Sequence, residues 1–154
     1  MITRIIASFA ALSVSLGFCI AAAQAEEMVA YKVVDDIEIE ASLTGKPGNP
    51  AQGRKLAIDR KLGNCLACHS LPIPEQQFHG ETGPDLAGVG SRLTPGEIRL
   101  RVVNPKLVNP DTMMPAFYRV TGLNRVMKDF AGKPILTAEQ VEDVVAYLMT
   151  LKED

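Results

Sequence analysis

The pentapeptide Cys65-Leu66-Ala67-Cys68-His69 is the most informative stretch of this 154-residue chain. Its C-x-x-C-H pattern is typical of covalent haem attachment. At this spacing the two thiols form thioethers with the vinyl groups on one porphyrin edge. The histidine that follows is brought beneath the ring, where its Nε2 binds iron. The stretch therefore predicts one haem c, attached through Cys65 and Cys68, with His69 as the proximal iron ligand.

Two other uses of a cysteine pair fit this chain less well. A redox-active C-x-x-C is typical of a βαβ context, which the sequence does not predict. A zinc site requires four ligands, and the only histidines that could join the two cysteines are His69 and His79, which lack the usual histidine spacing. Covalent haem attachment is therefore the favoured interpretation of the motif.

A methionine is the better candidate for the sixth iron ligand. His79 lies just past the proximal histidine in a polar, proline-rich loop, and we interpret it as a solvated loop residue. Met114 precedes Pro115, which restricts its backbone to extended conformations and aims its side chain. Met113 would then point to the other side, and core filling is the alternative use of both methionines. A thioether ligand raises the reduction potential, which suits electron transfer.

The segment Gly83-Pro84-Asp85-Leu86 follows the haem motif and offers a partner for the proximal histidine. A metal-bound imidazole usually donates its other ring N–H to a carbonyl oxygen, which fixes its tautomer and orientation. Pro84 supplies such a carbonyl and has no N–H of its own that would compete. The alternative is a plain turn.

Two helices are predicted in the first two thirds of the mature chain. Asn49 is a suitable cap for the first, with Pro50 in its first position, and we expect this helix to end at Gly63. The capping box Thr94-Pro95-Gly96-Glu97 opens the second, and Asn104-Pro105 stops it.

A third helix begins at Thr137-Ala138-Glu139-Gln140, and its apolar residues recur at i, i+3, i+4 and i+7. These residues are Val141, Val144, Val145, Leu148 and Leu151. Between the helices, residues 70–91 and 104–122 are long segments rich in proline and glycine. Irregular segments of this length are uncommon in a compact domain unless they serve a site, so we expect them to wrap the haem.

The first 25 residues have the features of a cleaved secretory signal peptide. Arg4 is their only charged residue, an apolar run follows it, and Ala23-Gln24-Ala25 is a small-x-small cleavage site. The run is short for an uncleaved membrane anchor, and the bulky Phe18 before Cys19 disfavours a lipoprotein anchor. We therefore expect residues 1–25 to be removed and the mature protein to be exported to the periplasm.

The mature chain is mildly acidic. Without Arg4 the 16 basic residues become 15 against 18 acidic ones, a formal charge of −3. Nucleic-acid binding needs a concentrated basic patch, and no segment resembles a membrane-surface helix, so we expect neither partner. Residues 26–48 are predicted to form an N-terminal arm, lying on the domain or on a partner, and residues 49–154 the haem domain. The period-two alternation of Ile37-Glu38-Ile39-Glu40 allows a short strand, although it has nothing obvious to pair with.

The order of these motifs resembles class I cytochromes c from about Asn49 to Leu151. The resemblance implies an all-α, class I cytochrome c fold, here with an N-terminal extended arm, whose first and last helices pack crosswise. Gly53 would allow their close approach, with Tyr147 or Leu148 opposite. In this family the carbonyl that matches Pro84 accepts the hydrogen bond of the proximal histidine. The tryptophan that often contacts a haem propionate is absent, which leaves as candidate partners Arg92, Tyr118 and Arg119.

A narrower resemblance is to the SoxX family, the monohaem subunits of SoxAX cytochromes. It rests on short motifs in the same order across nearly the whole mature chain. They are Ser42-Leu43-Thr44-Gly45, Gly63-Asn64 before the haem motif, Arg101-Val102-Val103-Asn104-Pro105, Met113-Met114-Pro115-Ala116-Phe117-Tyr118 and Gly132-Lys133-Pro134-Ile135-Leu136-Thr137.

The SoxX resemblance implies the electron-transfer subunit of a heterodimeric L-cysteine S-thiosulfotransferase. Its partner would be a SoxA-type cytochrome subunit with one or two haems, and the complex would couple thiosulfate oxidatively to a cysteine of a SoxYZ-type carrier protein. This chain would pass the electrons to another cytochrome. It would contribute no catalytic residue, because His69 and Met114 would fill both axial positions. The alternative is a free-standing periplasmic electron-shuttle cytochrome c.

Overall fold

Four α-helices form the regular structure of the computed structural model, which describes residues 28–153. They are α1 (Pro50–Ile58), α2 (Val89–Arg92), α3 (Pro95–Val103) and α4 (Ala138–Thr150), and 3₁₀ turns lie at Cys65–Ala67, Pro105–Leu107 and Lys128–Phe130. No helix in this range is both long and apolar enough to span a membrane. The predicted signal peptide, residues 1–25 with Cys19, lies outside the described residues.

The three helix starts predicted from the sequence are confirmed, and each has its capping side chain in place. Asn49 accepts hydrogen bonds from first-turn amides of α1. Thr94 and Glu97 form a reciprocal capping box at the start of α3, as do Thr137 and Gln140 at the start of α4. Because the first amides of a helix have no acceptor within it, these side chains satisfy donors that would otherwise lack a partner.

The first helix is shorter than predicted, because α1 ends at Ile58 and not at Gly63. The next residue, Asp59, leaves the helical conformation with φ −65° and ψ 114°. Its carboxylate accepts the Lys61 amide at 2.8 Å, and its carbonyl oxygen accepts the Asn64 amide at 2.9 Å. An aspartate that offers the backbone these local partners competes with the helix and ends it.

Helices α1 and α4 pack so closely at Gly53 that a side chain would not fit there. A Cβ atom on Gly53 would overlap the carbonyl oxygen of Asp143 and would lie 2.8 Å from the Cβ of Tyr147. Of the two residues predicted to lie opposite Gly53, Tyr147 is the one in contact. The apolar face of α4 is buried, and hydrophobic burial therefore stabilises this packing. Its fully covered residues include Val141, Val144, Val145 and Leu148.

Helix α2 begins within the segment 70–91, which the sequence predicts to be irregular, and ends one residue beyond it. Four residues are too few to show a helical periodicity. Gly90 lets α2 approach the end of α4, because its amide donates to the Leu151 carbonyl at 2.9 Å. A Cβ atom at this position would lie 2.7 Å from the carbonyl oxygen of Met149.

The part of the arm that the structure describes lies against the helices and contains no regular strand. Val34 and Glu38 form one isolated antiparallel bridge across a tight turn. Ile39 is 1% exposed, and its amide donates to the Gly96 carbonyl at 3.1 Å. The alternation of residues 37–40 therefore reflects one buried isoleucine between more exposed neighbours. It does not produce a strand, because the single bridge is not extended by further pairing.

Candidate haem-binding site

The haem motif is wound into a tight turn. Cys65–Ala67 forms a 3₁₀ turn that follows Asn64, whose φ of 47° lies in the left-handed region. The amides of Cys68 and His69 both donate to the Cys65 carbonyl, at 3.1 and 2.9 Å. Cys68 is exposed, whereas Cys65 packs against the hydrophobic core. The turn therefore brings two free thiols and an imidazole together at the boundary between core and solvent.

Burial raises the pKa of the Cys65 thiol to about 11. The thiol is therefore protonated at neutral pH, whereas the reactive cysteine of a redox C-x-x-C has a lowered pKa. A buried, neutral thiol suits a sulfur that becomes an uncharged thioether of a porphyrin. The raised pKa thus gives Cys65 none of the thiolate character of a redox-active cysteine.

The ring of His69 is supported by the loop that follows the motif. Its Nδ1 donates to the carbonyl oxygen of Pro84, with 2.7 Å between the two atoms. That bond selects the tautomer whose Nε2 is free to bind a metal. Gly83 lies against the same ring, where a Cβ atom would overlap Cε1 and lie 2.7 Å from Nδ1. The backbone of residues 83–84 therefore orients the imidazole, and this arrangement fits a haem whose proximal ligand is His69.

Two glycines allow this loop to lie directly on the haem motif. The Gly80 amide donates to the Leu66 carbonyl and the Gly83 amide to the Cys68 carbonyl, each at 2.8 Å. A Cβ atom on Gly80 would overlap the carbonyl oxygen of Ala67 and lie 2.8 Å from the Cα of Cys68. The sequence does not single out Gly80, because a loop glycine that permits close approach has the same local signal as one in a plain turn.

His79 is part of the same loop and is not the solvated residue that the sequence suggests. Its Nδ1 accepts the Leu71 amide at 3.3 Å, and its Nε2 is buried without a partner in the described part of the chain. Because Nδ1 accepts, the neutral ring carries its proton on Nε2. The imidazole thus joins the two ends of the segment 71–79, while the neighbouring Phe78 is 85% exposed.

The two methionines before Pro115 lie in different environments. Met113 is 82% exposed, whereas Met114 is partly buried and packs against the hydrophobic core. The segment that follows them is bound to the end of α3, because the Phe117 amide donates to the Val102 carbonyl at 3.1 Å. Burial therefore separates the two candidate ligands, since only Met114 has a side chain packed against the interior.

The three candidate propionate partners already have hydrogen-bond partners within the chain. The Arg92 guanidinium donates to two carbonyl oxygens of the preceding turn, at 2.6 and 3.1 Å. The Tyr118 hydroxyl accepts the Val29 amide at 2.8 Å, and Nε of Arg119 donates to the Thr121 carbonyl at 2.7 Å. Each side chain stabilises the backbone nearby, and none is distinguished as a propionate partner.

Comparisons with known proteins agree with this geometry. The cytochrome c family profile matches residues 50–152, which include all four helices, the haem motif and the Met-Pro segment. A chain of the crystal structure of SoxXA from P. pantotrophus is similar in fold, with a TM-score of 0.73. It is 46% identical in sequence over 79% of this chain and 94% of that chain. No curated protein matches the sequence.

Proposed function

The chain belongs to the cytochrome c family, and we propose that it is the electron-transfer subunit of a SoxAX-type complex. It has the class I cytochrome c fold, and its cofactor is covalently bound haem c, which supplies reversible one-electron chemistry when bound. The proposal rests above all on the 46% identity with a chain of SoxXA, 94% of which is covered. A likeness that extends over nearly all of that chain supports a shared role better than a likeness of the haem motif alone.

We propose that Cys65 and Cys68 carry the haem and that His69 and Met114 are its axial ligands. The hydrogen bond from His69 to Pro84 supports the proximal assignment, because it orients the ring and leaves Nε2 for iron. The packing of Met114 against the core supports the distal assignment. With both axial positions filled, this chain offers no open iron position to a substrate and contributes no catalytic residue.

In the proposed complex, thiosulfate is joined to a cysteine thiol of a SoxYZ-type carrier protein. Forming this S–S bond releases one proton and two electrons. A single haem accepts one electron at a time, so this chain takes the two electrons in succession from a SoxA-type subunit with one or two haems. It then passes each electron to another cytochrome. The soft thioether ligand favours this direction of transfer because it raises the reduction potential.

The proposal includes export to the periplasm after removal of residues 1–25. Support comes from the apolar run and the Ala23-Gln24-Ala25 cleavage site. N-terminal sequencing of the purified haem protein tests this part, with Glu26 expected as the first residue.

The association with a larger cytochrome is tested by size-exclusion chromatography of gently released native periplasm. Fractions are stained for haem, and the peak that contains this chain is identified by mass spectrometry. We expect it to co-elute with a second, larger c-type cytochrome at the size of a heterodimer. Elution of this chain alone at monomer size would instead support a free-standing electron shuttle. A variant with Cys65 and Cys68 both changed to alanine is the control for haem staining.

A further inference from the structure

The N-terminal arm contacts the segment that follows the proposed methionine ligand. Tyr118 lies four residues after Met114 and is 2% exposed. Its hydroxyl accepts the Val29 amide at 2.8 Å, across 89 residues of chain. Residues 28–33 form the outer part of the arm. Through Val29 this part is bound to the segment that follows Met114.

Packing reinforces this hydrogen bond. Met28, Tyr31 and Val33 are partly buried and pack against the hydrophobic core. Burial raises the pKa of the Tyr31 phenol, while the nearby Arg119 guanidinium lowers it and Tyr118 raises it. The side chains of the outer arm are therefore packed against the core, and Val29 is the residue that binds the segment after Met114.

The inner part of the arm is anchored independently. The Arg99 guanidinium forms two hydrogen bonds with the Glu142 carboxylate, at 2.7 and 2.9 Å, and both side chains are nearly inaccessible to solvent. Arg99 also donates to the Ile39 carbonyl at 2.6 Å, and Glu142 accepts the Leu43 amide at 2.9 Å. These contacts bind residues 39–43 to α3 and α4.

Between its two parts the arm reverses direction. Asp35 and Asp36 both have positive φ, 49° and 59°, and the antiparallel bridge between Val34 and Glu38 spans them. Residues 28–33 therefore run back from the anchored part and reach Tyr118. The arm is therefore attached on both sides of its turn. Residues 39–43 bind α3 and α4, and Val29 binds Tyr118.

We propose that residues 28–33 are a strap that positions Met114, with Tyr118 as the positioning residue through which they act. The bond between Val29 and Tyr118 limits the excursions of the segment 116–118, and so it favours the conformation in which the Met114 sulfur stays on the iron. A partner that displaced the strap would weaken this ligand. The inference rests on the proposed ligation by Met114.

The strap is tested on the haem-loaded protein with sodium cyanide as the probe, because cyanide binds ferric iron only after Met114 has left it. Apparent affinity then reports the population of the open state. Loss of one neutral hydrogen bond from the closed state predicts that Tyr118→Phe binds cyanide roughly fivefold more tightly. Deletion of residues 26–33 should have at least the same effect.

Tyr31→Phe is the matched control, since among the described residues the Tyr31 hydroxyl has no side-chain hydrogen bond while its ring packs in the same place. It should bind cyanide as the wild type does. A guanidinium midpoint measured by circular dichroism separates positioning from general stability. A purely structural role would lower this midpoint in Tyr118→Phe and leave cyanide affinity unchanged, which would overturn the strap. A wild-type protein without the sulfur-to-iron absorption band would overturn Met114 ligation itself, and the strap with it.

Discussion

The proposed proximal and distal sides of the haem site differ in the longest contact, counted along the chain, that stabilises each of them. On the proximal side, His69 and Pro84 are 15 residues apart, and the loop glycines bond to the motif itself. On the distal side, Tyr118 is bonded to Val29 across 89 residues. Closing a long loop costs more conformational entropy than closing a short one. The proximal side is therefore largely a local product of the sequence. The distal side also has a bond of similar range, from Phe117 to Val102, but depends in addition on the arm that the completed fold brings to Tyr118.

The largest effect is expected on the proximal side, from Gly83→Ala. The added Cβ atom would overlap the His69 ring, so the ring must leave its position or the loop must move away. We expect most of the low-spin holoprotein to be lost, measured by the haem absorption spectrum per unit of protein. Gly45→Ala is the control, because nothing lies within 4 Å of that position and only its φ of +67° is unfavourable, which costs about 1–2 kcal/mol. A native spectrum in Gly83→Ala would contradict the described contact.

Met114→Ala should remove the distal ligand and leave the haem attached. We expect the weak sulfur-to-iron band at about 695 nm, a mark of His/Met ligation, to disappear and the reduction potential to fall. Met113→Ala removes the same group from a side chain that is 82% exposed, and it should retain both properties. Persistence of the band in Met114→Ala would show that another sulfur binds the iron.

Arg99→Met tests whether the anchor of the arm contributes to global stability. It would leave the Glu142 carboxylate buried without its partner, and breaking a buried ion pair in this way costs roughly 3–5 kcal/mol. The expected readout is a lower free energy of unfolding in guanidinium. Arg54→Met removes an exposed pair with Glu75 and should change the free energy of unfolding far less, because solvent screens an exposed pair. Equal losses of unfolding free energy in the two variants would mean that burial does not make the Arg99–Glu142 pair more important for stability than an exposed pair.

The smallest effect is expected from the capping threonine of α4. Thr137 accepts the Gln140 amide at 3.2 Å, and Thr137→Ala should destabilise the protein by about 1 kcal/mol. Thr121→Ala, at an exposed loop position, should change the unfolding free energy by less than about 0.5 kcal/mol. We expect both variants to retain the haem spectrum, since neither residue contacts the motif. A change in the spectrum of Thr137→Ala would show that the start of α4 also supports the haem site.

The helix starts were predicted correctly because they depend on residues close together in the chain. The helix starts at Asn49, Thr94 and Thr137 are confirmed, because a capping side chain and the backbone amides that donate to it lie within one turn. The covalent haem c and the likeness to class I cytochromes c and the SoxX family are confirmed by the comparisons. The roles of Pro84 and Met114 in the site stay predictions that the geometry supports.

The sequence alone could not show three features that depend on burial, on strand pairing or on a competition between local hydrogen bonds. The end of α1 is a competition between Asp59 and the helix, whose outcome the local pattern does not reveal. His79 has a polar loop sequence around it, yet its imidazole is partly buried and bonded to Leu71. The alternating residues 37–40 resemble a strand, but residues 28–153 contain no strand that pairs with them beyond the single bridge between Val34 and Glu38.

By itself, the sequence determined that this protein binds haem covalently, where its three long helices begin and that Gly53 and the Met-Pro segment matter. The haem motif and the helix starts follow from residue spacing and capping, and the Met-Pro segment from the restriction that proline places on the residue before it. The role of Gly53 was implied by the resemblance to class I cytochromes c. The sequence already favoured Met114 over Met113, and the tertiary structure alone showed that the Met114 side chain packs inward and that the arm is bound to both α3 and Tyr118. Burial is the reason, because whether a side chain is covered depends on which distant segments the completed fold brings over it.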